Sequence, residues 1–88
     1  MIKEFKVTFR LHQIGRESIK VPKDAVFIRL YYNPESWKLT LCFIYQEPEE
    51  DMGKRIIIFN NEFPGSRNHD RYLGNFMADQ TKWHVYYE

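Results

Sequence analysis

A two-residue alternation opens the chain: Phe5, Val7, Phe9 and Leu11 stand between Glu4, Lys6, Thr8, Arg10 and His12. Successive side chains of a strand point to opposite faces, so these residues predict a half-buried strand with one wet face. The same period returns from Lys38 to Gln46, with Leu39, Leu41, Phe43 and Tyr45 on one face and Thr40, Cys42 and Ile44 on the other. Between the two, a turn at Gly15 leads to a short segment, Ile19 to Val21, that stops at Pro22. Val26 to Tyr32, rich in β-branched and aromatic residues, ends at the turn signal Asn33-Pro34.

The second half continues the pattern. An acidic turn at residues 47 to 53 precedes Arg55 to Phe59, which is apolar at every position from Ile56, so both faces of that strand should be covered and it belongs in the middle of the assembly. Residues 60 to 70 have no period and are dense in loop formers. Tyr72 to Ala78 and Lys82 to Tyr87 follow as strands joined by Asp79-Gln80-Thr81; a helix over 72 to 79 is disfavoured by Gly74 and the aromatics. Six to seven short strands with regular turn signals predict a mainly β chain, a small antiparallel β-sandwich or barrel with little or no helix, forming a single domain over residues 1–88.

Size makes such a domain marginal, because a chain of 88 residues buries only about 60 to 65% of its unfolded surface. The single Cys42 excludes an intrachain disulfide, and with His12, His69 and His84 it matches no metal-ligand spacing, so neither metal nor cofactor is expected. Self-association remains as a source of stability. Two Trp, six Tyr and seven Phe exceed what one small core comfortably encloses, which points to a homo-oligomer interface or a ligand pocket. No apolar run approaches the roughly 20 residues that span a bilayer, and the lone cysteine without a secretory leader favours a reducing cytoplasm.

A formal charge of +1 argues against a protein that grips long nucleic acid. Glu47, Glu49, Glu50 and Asp51 gather four of the twelve acids into one turn, leaving thirteen Lys and Arg against eight acids elsewhere. Either a modest basic face or an ordinary mixed surface with one solvated acidic loop satisfies that distribution.

Catalytic candidates are sparse. Cys42 lies in an apolar strand, where free cysteines are buried and inert, and Ser18, Ser36 and Ser66 lack a nucleophile-elbow context. Phosphate-binding glycine loops are missing, and sequence does not bring Glu35 and Glu62 together. A binding protein, not an enzyme, is expected. The richest constellation is Pro64 to Tyr72, which offers Arg67, His69, Arg71 and Tyr72 in a flexible segment; planar guanidinium forks suit phosphate and aromatic faces suit bases, although a polar loop needs the same composition only to stay soluble. Arg29 and Arg55 are charges in or beside apolar strands, explained by an edge position, an acid partner or an anion-holding pocket. Trp37 after the Asn-Pro turn is a candidate exposed ring, whereas Trp83 is expected in the core with His84 on the opposite face.

The ending Lys82-Trp83-His84-Val85-Tyr86-Tyr87-Glu88 resembles the close of a set of very small phage proteins that finish in Trp-His-Val-Phe-Glu or a near variant. Ile19-Lys20-Val21-Pro22-Lys23-Asp24-Ala25 is similar to their Ile-x-hydrophobic-Pro-x-Gly-Ala segment, and Tyr72-Leu73-Gly74-Asn75-Phe76 to their Tyr-Ile-Gly-Thr-Phe strand. The departure is Asn60-Asn61-Glu62, where that set shows Gly-Thr-Gly-His, so a role of the glycine loop does not carry over. This set resembles in turn the tetrameric anti-CBASS sponges. The resemblance implies a phage immune-evasion protein of the host bacterial cytoplasm, a homo-oligomer that sequesters a cyclic dinucleotide such as 3′3′-cGAMP without cleaving it. Side-chain chemistry then nominates Arg67 and Arg71, with Arg55 or Arg29, for phosphate and Tyr72 and Trp37 for the bases, and includes His69 among the ligand-binding residues. The competing expectation is a small protein-binding module that inhibits a host factor, anchored by exposed aromatics.

Overall fold

The computed structural model describes residues 1–11, 15–47, 51–61 and 71–88; Arg67 and His69 lie outside them. Among these residues there are seven strands: β1 (Ile2–Arg10), β2 (Gly15–Pro22), β3 (Val26–Asn33), β4 (Lys38–Gln46), β5 (Met52–Asn60), β6 (Tyr72–Ala78) and β7 (Thr81–Tyr87). All pair antiparallel, in one sheet of order β1-β4-β3 and another of order β2-β5-β7-β6. Of the mainly β sandwich or barrel expected, a sandwich of two sheets forms. Two elements are longer than their sequence signal: β1 begins at Ile2, and β2 extends back to Gly15 because Arg16, Glu17 and Ser18 find partners in Ile58, Ile57 and Ile56 of β5.

Between the sheets lies a core of Leu39, Leu41 and Phe43 from β4, Ile57 and Phe59 from β5, Val85 from β7, and Ile19 and Val21 from β2. The alternation therefore pointed its apolar set inward, and Trp83 packs against the same core. On the outward side of β4, Thr40 and Cys42 are buried as well, roofed by flanking strands, and Thr40 shares a 2.9 Å hydrogen bond with Thr8. The expectation that both faces of β5 are covered holds only for its inward side: Ile57 and Phe59 are buried, but Ile56 and Ile58 stay half-exposed.

Rings fit into this small core better than their number suggested. Among the described aromatics, only Tyr31 and Trp37 are strongly exposed, at 47% and 45%. The others interlock, as in the stacked pairs Tyr32–Phe76 (4.8 Å) and Phe9–Phe59 (5.6 Å). The surplus apolar surface is instead aliphatic, at Ile2, Val26, Ile28, Met52 and Met77.

Two bulges, invisible to a strict period, decide which residues meet solvent. In β3 the register shifts between Phe27 and Arg29, and in β6 between Tyr72 and Gly74. One extra residue reverses the parity of the rest of its strand, so Phe27 faces Phe43 inward while Arg29 aligns with Cys42 on the outside. Gly74 sits where β6 approaches β3. Its φ is 154°, and a Cβ there would lie 3.1 Å from Leu30 Cδ2, so the residue must be bare on both counts. Asp79 and Gln80 form the β6–β7 turn, shorter than the three residues expected; Ala78 already pairs with Thr81. Both carry positive φ, 51° and 62°, as a two-residue type I′ hairpin requires. Among the described residues no helix is long and apolar enough to cross a membrane.

Candidate functional site

The outward face of the four-stranded sheet gathers polar rings, amides and cations in one register. Even-numbered residues of β5 and β7 point away from the core, which sets Asn60 opposite His84 and Ile58 opposite Tyr86. The β6 bulge brings Tyr72 to the same side, opposite Tyr86. Tyr72 Oη and His84 Nδ1 share a hydrogen bond of 2.7 Å, and Asn75 Nδ2 donates to Tyr72 Oη at 3.1 Å. Asn60 Nδ2 donates to Tyr86 Oη at 3.0 Å. These bonds fix the orientation of two phenols and an imidazole while leaving each ring half-exposed.

Cations border the rings where β7 ends. Arg71 Nη1 donates to the Glu88 carbonyl at 3.1 Å, and Arg16 forms an ion pair with the Glu88 carboxylate. Two shallow hollows adjoin there, one of about 310 Å³ lined by Arg16, Glu17, Ser18, Lys54 and Ile56, the other of about 320 Å³ lined by Lys54, Arg55, Ile56, Tyr87 and Glu88. Lys54 and Ile56 belong to both, so they form a continuous depression. Among the described residues, four cations (Arg16, Lys54, Arg55, Arg71) meet two carboxylates (Glu17, Glu88) there, a net positive balance.

Of the residues nominated from sequence, Arg55, Arg71 and Tyr72 come to this end of the sheet. Arg55 is partly consumed by the fold. Its Nη1 donates to Tyr87 Oη at 3.1 Å and its Nη2 to the Ala25 carbonyl at 2.8 Å, with the guanidinium carbon 5.7 Å from the ring centres of Phe43 and Tyr87. Arg29 lies elsewhere, on the outward face of the three-stranded sheet, 3.7 Å from Glu4. Glu4 also holds Lys6 at 3.3 Å, and that hydrogen bond, aided by the charges of Tyr31 and Glu4, keeps the Lys6 ammonium above its ordinary pKa. Edge position and an acid partner thus account for Arg29. Arg16, Lys54, Asn60, Asn75 and Tyr86 were missed by sequence reasoning, although outward parity along β2, β5, β6 and β7 was the signal that would have found them.

Trp37 is at the opposite end of the sandwich, about 20 Å away by the length of β6. There, a more enclosed hollow of about 200 Å³ is lined by Leu11, Tyr32, Trp37, Asp79, Thr81 and Trp83. Trp37 itself has φ 58°, a left-handed backbone in which a bulky side chain is rare.

Among the described residues no three His, Cys, Asp or Glu side chains converge as a metal site would need. No family model matches the chain, no curated protein matches its sequence and no solved structure matches its fold.

Proposed function

We propose that the chain is a phage immune-evasion protein that binds and sequesters a cyclic dinucleotide such as 3′3′-cGAMP without cleaving it, as a homo-oligomer, and so blunts CBASS defence. The observation that carries this reading is the coincidence, on one sheet face, of oriented flat rings (Tyr72, His84, Tyr86) and hollows lined by Arg16 and Lys54, with Arg71 bonded to Glu88 at their border. A cyclic dinucleotide presents two purines and two phosphates, and this face offers stacking surfaces and guanidinium forks to match. In the chain, Arg67 and His69 immediately precede Arg71, and the same reading assigns them to the ligand. Arg29 and Trp37 lie on other surfaces and reach it only from a neighbouring copy.

Assembly is supported by aliphatic surface. Ile2, Val26 and Ile44 line a hollow of about 190 Å³ at one end of the outer face of the three-stranded sheet, where Ile28 is also exposed, and β1 and β3 are the edge strands of that sheet among the described residues. An apolar patch of this kind fits a second copy, and the tetramer in the proposal comes from the resemblance to the sponges.

A melting-temperature screen against cyclic di- and trinucleotides tests the reading. A ligand at 100 times its dissociation constant adds about 2.7 kcal/mol, which for a domain of this size is a rise of about 10 °C or more. Arg71→Ala is expected to weaken binding at least about tenfold by calorimetry, the loss of one charge-assisted hydrogen bond. Nucleotide recovered intact after heat denaturation marks sequestration, and hydrolysed nucleotide marks an enzyme. Capture of one host protein, with no melting response to any nucleotide, would replace the proposal by a protein-binding module.

A further inference from the structure

We infer a second binding site, for a small organic cation, in the hollow lined by Tyr32, Trp37, Asp79, Thr81 and Trp83. Its size comes first. About 200 Å³ is below the roughly 300–1,000 Å³ of pockets that enclose drug-sized molecules, so a dinucleotide does not fit and a head group does.

Electrostatics then select the sign of the ligand. Three aromatic side chains line the space, and aromatic faces attract cations through the ring quadrupole. Asp79 adds a carboxylate, which no Lys or Arg pairs with among the described residues. An anion would be repelled by both features, whereas an ammonium gains from both. Two of the rings are held firmly: Tyr32 stacks on Phe76 at 4.8 Å and Trp83 lies nearly parallel to Phe76 at 6.3 Å, so these walls are preorganised.

Backbone strain is concentrated on the same walls. Non-glycine residues with positive φ are Trp37, Asp79 and Gln80 among the described residues, and the first two line the hollow. Asp tolerates that conformation, glycine prefers it and an indole is uncommon in it. Holding Trp37 at φ 58° instead of a glycine sets a ring at the rim of the hollow, opposite the Asp79 turn; strain retained where a ligand is gripped is a recurrent property of binding sites. The ligand class is therefore a primary or methylated ammonium, supplied as a free amine or as a lysine side chain of a peptide.

Choline is the first probe, with 3,3-dimethylbutan-1-ol as its uncharged isostere, followed by the indole N–H signals of Trp37 and Trp83 in proton–nitrogen spectra. Choline is expected to shift both signals saturably, with a dissociation constant on the order of millimolar, and the alcohol to bind at least about fivefold more weakly. Asp79→Asn keeps the left-handed turn and is expected to weaken choline at least about fivefold, as is Trp37→Ala. Tighter binding of a trimethyllysine peptide than of choline assigns the site to a protein side chain; equal or weaker binding assigns it to a free amine. Equal affinity for choline and the alcohol, or an Asp79→Asn protein that binds choline as the parent does, overturns the inference. Cyclic-nucleotide affinity should be unchanged in Asp79→Asn, which separates this site from the one on the sheet face.

Discussion

The two ends of the sandwich share strand β6 yet are built by different means. Where β7 finishes, side chains project from extended strands and are oriented by bonds to one another, as in Asn75 to Tyr72 to His84. At the hairpin end strand residues Tyr32, Ala78, Thr81 and Trp83 share the walls with two turn residues, Trp37 and Asp79, both on left-handed backbone. Positive charge gathers at the first end and aromatic surface with one acid at the second. The sheet face thus needs one bulge to align its polar rings, while the hollow combines strand side chains with two left-handed turn residues.

Arg55 gives the largest test, because at the cationic end it is the one cation whose contacts are mainly internal. Arg55→Ala removes two charge-assisted hydrogen bonds and a guanidinium lying near Phe43 and Tyr87, and leaves the Ala25 carbonyl without that donor. Partial exposure softens the loss, so about 2–3 kcal/mol of stability is expected, roughly 8–20 °C in melting temperature. Arg71→Ala, whose guanidinium is exposed, should cost less than about 1 kcal/mol in the same melt. Equal losses in the two variants would erase the distinction between a structural and an available cation.

The hairpin end offers a smaller but sign-changing contrast. Trp37→Ala and Trp37→Gly remove the same ring, and at an extended position alanine would be the more stable. At φ 58° the order reverses: the glycine variant should exceed the alanine variant by about 1 kcal/mol in urea unfolding, since only alanine retains the clash of its Cβ with the backbone. An alanine variant as stable as the glycine one would mean that residue 37 is not held in the left-handed region, and the strain argument would go.

Parity explains what could be read from the chain beforehand. Alternation at Phe5 to Leu11 and Leu39 to Tyr45 reports which side chains face the core, because a strand's period is fixed by its backbone, but not that Thr40 and Cys42 on the other face are buried as well. Tyr72 was nominated for its chemistry, but its outward direction depends on the bulge before Gly74, a one-residue shift with no distinct sequence signal. Long-range pairing was equally hidden. Nothing local says that Arg16 faces Ile58 or that Glu88 meets both Arg16 and Arg71, since those contacts join segments up to 72 residues apart. The aromatic surplus misled because rings that stack, such as Tyr32 on Phe76, share space that a count of side chains does not register.

Glu88 provides the finest adjustment of the contrast between the ends, since its carboxylate occupies Arg16 in the same depression proposed to receive phosphate. An incoming anion must share Arg16 with that carboxylate or displace it, whereas the Arg71 bond is to the Glu88 backbone carbonyl and survives a side-chain change. Glu88→Gln removes the competing charge and keeps the shape. Because the pair is exposed, its loss should lower stability by no more than about 1 kcal/mol, while cyclic-dinucleotide affinity should rise about two- to fivefold, most clearly at low salt. Calorimetry at two ionic strengths reads both signs. Weaker nucleotide binding in Glu88→Gln would show that the carboxylate orients Arg16 for the ligand instead of competing with it, and unchanged binding would remove Arg16 from the phosphate contacts. Choline binding at the hairpin end should be indifferent to this substitution.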